Sequence, residues 1–342
     1  MAVGDQKLSY INVTQKGLVT GLRTMFQLTK IIFPITVFLT ILQHTPLLNI
    51  LASYLAPLMH GIGLSGEAAL VLVLGNMLNL YAAIGAMLTM SFTVKEVFIL
   101  AIMLGFSHNL FVETTVARYL GMAPWMSALL RLSLAISAAF LIHHVWVGPS
   151  PLASYVLQDE SINAAVTAGM DENLSSTRIV DVHTFLVALI DGATVGLVGL
   201  WKIAIIVMPL MLGIEWAKAL GVVTHLSRGL APILRFLGVR EELSIIFLAG
   251  LFFGLAFGAG MIMESARERT YPRRDLVLLG VFLSASHAVV EDTLIFVPLG
   301  IPVLWLFMLR TLTAILLTVI LARLWRTPAL HHASQMAMDR SS

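Results

Sequence analysis

The residues Ser107-His108-Asn109-Leu110-Phe111-Val112-Glu113-Thr114 recur, altered, as Ser286-His287-Ala288-Val289-Val290-Glu291-Asp292-Thr293. Each copy sets an imidazole five residues before a carboxylate, with a hydroxyl at either end. Such groups bind divalent cations, relay protons or lock onto one another across helices. Both copies sit inside long apolar segments, where every ionisable side chain is costly. In a regular helix of 3.6 residues per turn, His108 and Glu113 face different sides, whereas His287 and Glu291 share one. If Glu113 and Asp292 work with the histidines, the helices must be unwound between imidazole and acid. Asn109 and Glu113 form the alternative same-face pair. The candidate substrate-binding set is His108, Glu113, Thr114, His287, Glu291, Asp292 and Thr293, with Asn76, Asn79 and Asn109. Within it, His108, Glu113, His287 and Asp292 are the candidate metal ligands, suited to Fe, Mn or Zn.

Other groups surround this set. Arg131 and Arg310 are duplicated and lie a few residues into their apolar runs. They either pair with Glu113 and Asp292 or, the favoured reading, snorkel to the headgroups. If they reach the site, an anionic or polar organic substrate gains over a bare metal. Met87, Met90, Met103, Met261 and Met263 add soft sulfur nearby, but read better as packing. Asn76, Asn79 and Tyr81 have no polar counterparts in the second copy, where Leu251, Gly254 and Ala256 stand. Together with Phe252 or Phe253 they would suit a nucleoside-like ligand, or they satisfy broken backbone. Glu67 and Glu242 read as helix N-terminal charges. His143, His144, His183, His331 and His332 read as surface residues.

These groups are carried by a chain of 342 residues, 58% hydrophobic and 12% charged, with mean hydropathy +0.91. Soluble proteins carry about 25% charged residues, so the chain reads as an all-α integral membrane protein. Its apolar runs of about 18–25 residues suit helices crossing a ~30 Å core, and the ~10-residue alternation of barrel strands is not seen. The first 23 residues are polar and mixed, and no small-residue cleavage site ends the run 24–43, so that run is expected to remain as the first span. Lys30 is expected to snorkel from it. There are no cysteines, which excludes disulfides, thiolate metal sites and thiol chemistry. No phosphate-binding G-x-x-x-x-G-K-[ST] motif is present. No nucleophile–base pair or cofactor fingerprint stands out, so an enzyme is not expected, nor is a nucleic-acid partner.

The chain is one unit written twice. Leu55-Ala56-Pro57 recurs as Leu230-Ala231-Pro232, and the same shift carries Gly21, Pro34, Gly63, Glu67, Gly75, Leu80 and Gly85 onto Gly196, Pro209, Gly238, Glu242, Gly250, Leu255 and Gly260. After a four-residue insertion, the register carries Ser107, His108, Thr114, Gly121, Arg131 and Trp146 onto Ser286, His287, Thr293, Gly300, Arg310 and Trp325. The division is 1–146 for the first repeat, 147–183 for a polar loop and 184–342 for the second repeat with a short tail. Each unit reads as a span, a short amphipathic piece, a glycine-broken run and two further spans. Lys7, Lys16 and Arg23 precede the first span and Arg323 and Arg326 follow the last, so both termini are placed in the cytoplasm. The 147–183 loop is acidic. The connecting pieces of the second unit are basic (Lys218, Arg228, Arg235, Arg240, Arg267, Arg269, Arg273, Arg274), and those of the first carry little beyond Lys95. Charge thus moves to opposite faces in the two copies, which requires an odd number of crossings per unit. Three fit if the amphipathic piece lies in the interface and the glycine-broken run is a re-entrant hairpin. Five crossings per unit would preserve the inversion too. Inverted repeats meeting at broken helices are a transporter architecture.

The order of elements resembles each inverted half of concentrative nucleoside transporters. At the level of residues, the unit Gly21–Gly85 with Pro34, Ala56-Pro57 and the hairpin glycines is similar to the Gate, or nucleoside-recognition, family. That family includes spore-maturation membrane proteins and the gate segments of ferrous-iron transporter B permeases. The chain departs from the iron transporter in lacking cysteines and a GTPase motif, and it has no clear match to the nucleoside motifs of the concentrative transporters. The resemblance implies a multi-pass protein of a bacterial inner membrane. Joined to the His/acid set, it leads us to expect a secondary transporter of a divalent metal such as Fe(II), or of a proton-coupled small solute. Nucleoside uptake and a non-transporting scaffold are the alternatives. No cofactor is assigned beyond a metal ion as cargo. The expected partners are the lipid bilayer, a small solute or metal ion, and a second copy or another membrane subunit.

Overall fold

The computed structural model describes residues 10–146, 182–222, 226, 229–252, 254–255 and 271–325. Most of the acidic loop, Arg228, Phe253, Met261, Met263, Arg267, Arg269, His331, His332 and the return half of the second glycine-broken run lie outside them. Among the described residues all regular structure is helical. The first unit comprises α1 (Tyr10–Gln43), α2 (Pro46–His60), α3 (Ala68–Met77), α4 (Leu80–Met87), α5 (Val94–Ser107), α6 (Leu110–Ala117) and α7 (Pro124–Val145). The second comprises α8 (Val182–Ala219), α9 (Ala231–Phe236), a helical stretch over 244–252, α10 (Arg273–Ala285), α11 (Glu291–Leu294) and α12 (Val303–Leu324).

Five segments are long and apolar enough to cross a bilayer: α1, the α5–α6 segment through Leu120, α7, α8 and α12. The sixth expected span, 275–298, is broken into α10, α11 and a 3₁₀ turn at Val297–Leu299, and none of these pieces is long enough alone. Both α1, at 34 residues, and α8, at 38, begin earlier than the apolar runs 24–43 and 194–214 suggest. Tertiary packing accounts for this: the polar start of α1 is held against the end of α8. Tyr10 stacks on Trp216, Lys16 pairs with Glu215 at 3.3 Å, and Gly17 lies against Leu212.

These contacts fix the direction of the pair. Gly17 and Gly21 meet Leu212 and Met208, while Gly192 and Gly196 meet Val37 and Phe33. Thus α1 and α8, equivalent helices of the two units, pack antiparallel along their length. The four glycines form two small-x-x-x-small pairs at equivalent positions. A Cβ on Gly192 would stand 2.8 Å from the Val37 Cα, so close backbone approach depends on its absence.

Helices α7 and α12 place apolar side chains outward and polar ones inward. Trp125, Leu129, Ile136 and Phe140 of α7 are exposed, while Ser127, Arg131, Ala135 and Ala139 are buried. In α12, Leu304, Leu312, Leu316 and Ile320 are exposed, and Leu306, Arg310, Ala314, Thr318 and Ala322 are buried. An apolar exterior on this scale belongs in lipid. The inward stripe runs every fourth residue, and its members coincide under the repeat register.

The glycine-broken run of the first unit folds as α3 and α4, of 10 and 8 residues. At 1.5 Å per residue, each is about half the bilayer core in length. They pack together, with Gly75 against Ala83 and Leu104. Asn79 caps α4 by accepting from the Ala82 N–H at 3.0 Å. Helix α2 covers the expected amphipathic piece and buries only Leu48 and Met59.

Candidate functional site

The α5–α6 segment breaks where the repeated motif begins. Helix α5 ends at Ser107, Asn109 turns left-handed at φ 52°, and α6 starts at Leu110. The second unit breaks at the equivalent place, with Ala288 at φ 42°. Asn109 and Ala288 are the two non-glycine residues with positive φ among those described. The freed backbone is satisfied alike in both: the Asn109 N–H donates to Gly75 O at 2.8 Å, and the Ala288 N–H to Gly250 O at 3.0 Å. Each glycine-broken run therefore braces the break in its own unit. The unwinding that the five-residue His–acid spacing demands is present, and it turns Glu113 to the side of His108.

Around these breaks the structure gathers both histidines, both acids of the repeated position and both arginines. The His108 and His287 rings lie 5.1 Å apart. Glu113 reaches both, with Oε1 3.3 Å from His108 Nε2 and Oε2 2.9 Å from His287 Nε2. The shorter Asp292 approaches His108 Nε2 at 3.8 Å. The His108, His287 and Asp292 ligand atoms all lie within 4.8 Å of one another, and every one of these residues is buried.

The arginines do not snorkel. Arg131 and Arg310 are both 0% exposed and are the two largest fully buried side chains described. Arg131 pairs with Glu113 at 2.6 Å and donates to Phe106 O and His108 O, both at 2.7 Å. Arg310 donates to Asp292 Oδ2 at 3.1 Å and to His287 O at 3.0 Å. Each guanidinium thus caps the carbonyl end of the broken helix in its own unit and neutralises that unit's acid. Hydropathy could not reveal this, because the outcome depends on which face of α7 and α12 turns inward. The four-residue stripe Ser127-Arg131-Ala135-Ala139 was the available signal. Lys30, in contrast, stays exposed, over the Phe26 ring.

Both imidazoles are oriented by their own helices. The Nδ1 atoms of His108 and His287 lie 2.6 and 2.7 Å from the carbonyls of Leu104 and Leu283. A carbonyl only accepts, so each Nδ1 carries the proton. In a neutral ring Nε2 is then a bare lone pair, and in both rings it faces carboxylate oxygen.

The remaining expected residues divide. Glu291 accepts from the Tyr81 hydroxyl, which ties α4 of the first unit to the break of the second; the sequence suggests Tyr81 as a ligand contact of the first hairpin but not as the partner of Glu291. Thr114 turns back to Leu110 O at 2.6 Å, and Thr293 is buried beside Asp292 without a hydrogen-bond partner for its hydroxyl among the described residues. The asparagines are bonded to backbone rather than to the imidazoles: Asn79 as the α4 cap, Asn76 to Leu72 O at 2.7 Å, and Asn109 through its left-handed main chain. Met87, Met90 and Met103 lie in the apolar core. Glu67 occupies the N-cap position of α3 with helical backbone and makes no side-chain cap bond. Glu96 closes a capping box with Thr93 at the start of α5 and accepts from the Ser65 N–H, two residues before Glu67, at 2.9 Å.

Residues 25–126 match the Gate family model, described as nucleoside recognition. An uncharacterized membrane protein of Bacillus subtilis (strain 168), YvoD, is 42% identical over 310 residues, which cover 91% of this chain and 94% of that protein. No solved structure matches. With its broken helices, apolar exterior and near full-length likeness to a membrane protein, the chain belongs to the Gate family of membrane proteins.

Proposed function

We propose that the protein is a secondary transporter of inverted-repeat design, in which the His108/His287 centre takes up and releases protons as a small solute moves. The orientation of the imidazoles carries this reading. Two electron-rich atoms 2.9 Å apart, His287 Nε2 and Glu113 Oε2, repel one another unless positive charge offsets them. A proton meets that need by making the ring an imidazolium. Arg131 and Arg310 favour a proton over a divalent ion, because they already neutralise the two acids a metal would use.

The antiparallel packing of α1 on α8 supports the inversion of the two units. Lys16 and Lys218 gather around Glu215 at one end, where the positive-inside rule places the cytoplasm of a bacterial inner membrane. On this reading α2 lies in the interface and α3–α4 is re-entrant, backbone that is tolerated because it is buried in protein. A second reading, a divalent metal as cargo, is favoured by the clustering of His108, His287 and Asp292 ligand atoms.

The test uses liposomes holding the purified protein and an internal pH dye, offered succinate, uridine or Mn(II) in turn. Solute-dependent acidification that disappears in the His108→Gln/His287→Gln variant is expected. Normal transport by that variant would refute the site. Retention of Mn(II) without proton movement would favour the metal reading. Neither flux nor binding, with a stable co-purifying partner, would favour a scaffold.

A further inference from the structure

We infer that the transported solute carries an anionic oxygen group, a carboxylate or a phosphate, and that the break of the second unit receives it at Arg310, Ser286 and Thr293. This rests on the transport reading above. The two breaks share their geometry but differ in how completely they satisfy their own donors. In the first, Ser107 donates to Met103 O at 2.9 Å, Thr114 to Leu110 O at 2.6 Å, and Arg131 Nε to Phe106 O at 2.7 Å. In the second, the equivalent Ser286 Oγ, Thr293 Oγ1 and Arg310 Nε all lack a partner among the described residues, while Nη1 is unpaired in both arginines. These side chains are 0–5% exposed.

The difference has a local cause. Helix α10 ends at Ala285, one residue sooner in the repeat register than α5, which runs through Ser107. Ser286 has extended backbone (φ −148°, ψ 88°), and its hydroxyl does not turn back to the Phe282 carbonyl as that of Ser107 turns to Met103 O. Buried donors are rarely left unpaired. A cluster of three more on one side of a two-fold arrangement, opposite a more fully paired twin, marks where an external acceptor completes the set. Guanidinium N–H groups donate only, and they pair most strongly with carboxylate and phosphate oxygen.

The unpaired atoms have no accessible surface in this closed form, so the solute enters when the second break opens.

The test is thermal stability and calorimetric titration of the purified full-length protein with acetate, inorganic phosphate, uridine and choline. One or both anions should raise the melting temperature, and Ser286→Ala/Thr293→Val should bind that anion at least tenfold more weakly. Without ligand this variant should melt no lower than wild type, since it removes unpaired groups rather than bonds; a structural role would lower it. An anion shift retained in the variant, or no shift with either anion, overturns the inference. If the anions fail while uridine or Mn(II) still drives His-dependent proton flux in liposomes, this inference falls and the transport reading stands. If nothing drives such flux, both fall.

Discussion

Replacing Arg131 by methionine tests whether a full positive charge is built into the protein interior. Arg131 is 0% exposed, makes two hydrogen bonds of 2.7 Å to the carbonyls that end α5, and holds Glu113 at 2.6 Å. Methionine fills much of the volume but strands the carboxylate and frees both carbonyls. Breaking a buried pair from one side costs about 3–5 kcal/mol. Arg310 offers one nitrogen to its carbonyl and its acid, at 3.0 and 3.1 Å. One fewer charge-assisted bond makes Arg310→Met less costly, by about 1.5 kcal/mol. Adding Glu113→Gln to Arg131→Met removes the stranded charge and should restore about 1–3 kcal/mol. Unfolding in mixed micelles of rising denaturing-detergent fraction, followed by tryptophan fluorescence, reads each value. A cost below about 0.5 kcal/mol for Arg131→Met, as for a surface residue, would mean that the guanidinium is not held in the interior.

Three other outcomes use the same assay. Gly66→Ala places a Cβ 1.9 Å from the Ala52 carbonyl oxygen and should cost at least 1–3 kcal/mol, roughly the penalty of overpacking; Gly213→Ala, with nothing within 4 Å, should be tolerated. Ala288→Gly relieves a left-handed alanine at φ 42° and should stabilise by about 1 kcal/mol, whereas a loss would show that the turn is unstrained. At the entrance to α3, burial first and the Glu96 carboxylate second hold the Glu67 carboxyl above its ordinary value of 4.5. Its contribution to stability is therefore full below that value and lost as pH rises through the elevated one. Glu67→Gln should raise stability at neutral pH and leave it unchanged in acid; equal effects at both would contradict this.

The doubled motif and the break within it were legible from spacing alone, because a regular helix cannot turn His108 and Glu113 to one side. The arginines were misread because a linear run of apolar residues does not say which face meets lipid. The extension of α1 back to Tyr10 depends on its partner α8, and the link from Tyr81 to Glu291 joins residues 210 positions apart. Neither leaves a local signature. The Gly17/Gly21 and Gly192/Gly196 pairs were visible, but their meaning appears only once the two helices are seen to run antiparallel.

The two halves of the chain bring their broken helices together as one buried centre. The chain has no cysteine of its own, so His108→Cys/His287→Cys introduces a single pair, from positions whose rings lie 5.1 Å apart. A membrane-permeant bis-thiosulfonate with a short spacer, which does not need the close Cα approach of a direct disulfide, should link the pair within one chain in native membranes, visible as a mobility shift reversed by reductant. Absence of that link, while each single variant still reacts with a small membrane-permeant thiol reagent, would place the histidines apart and contradict the account.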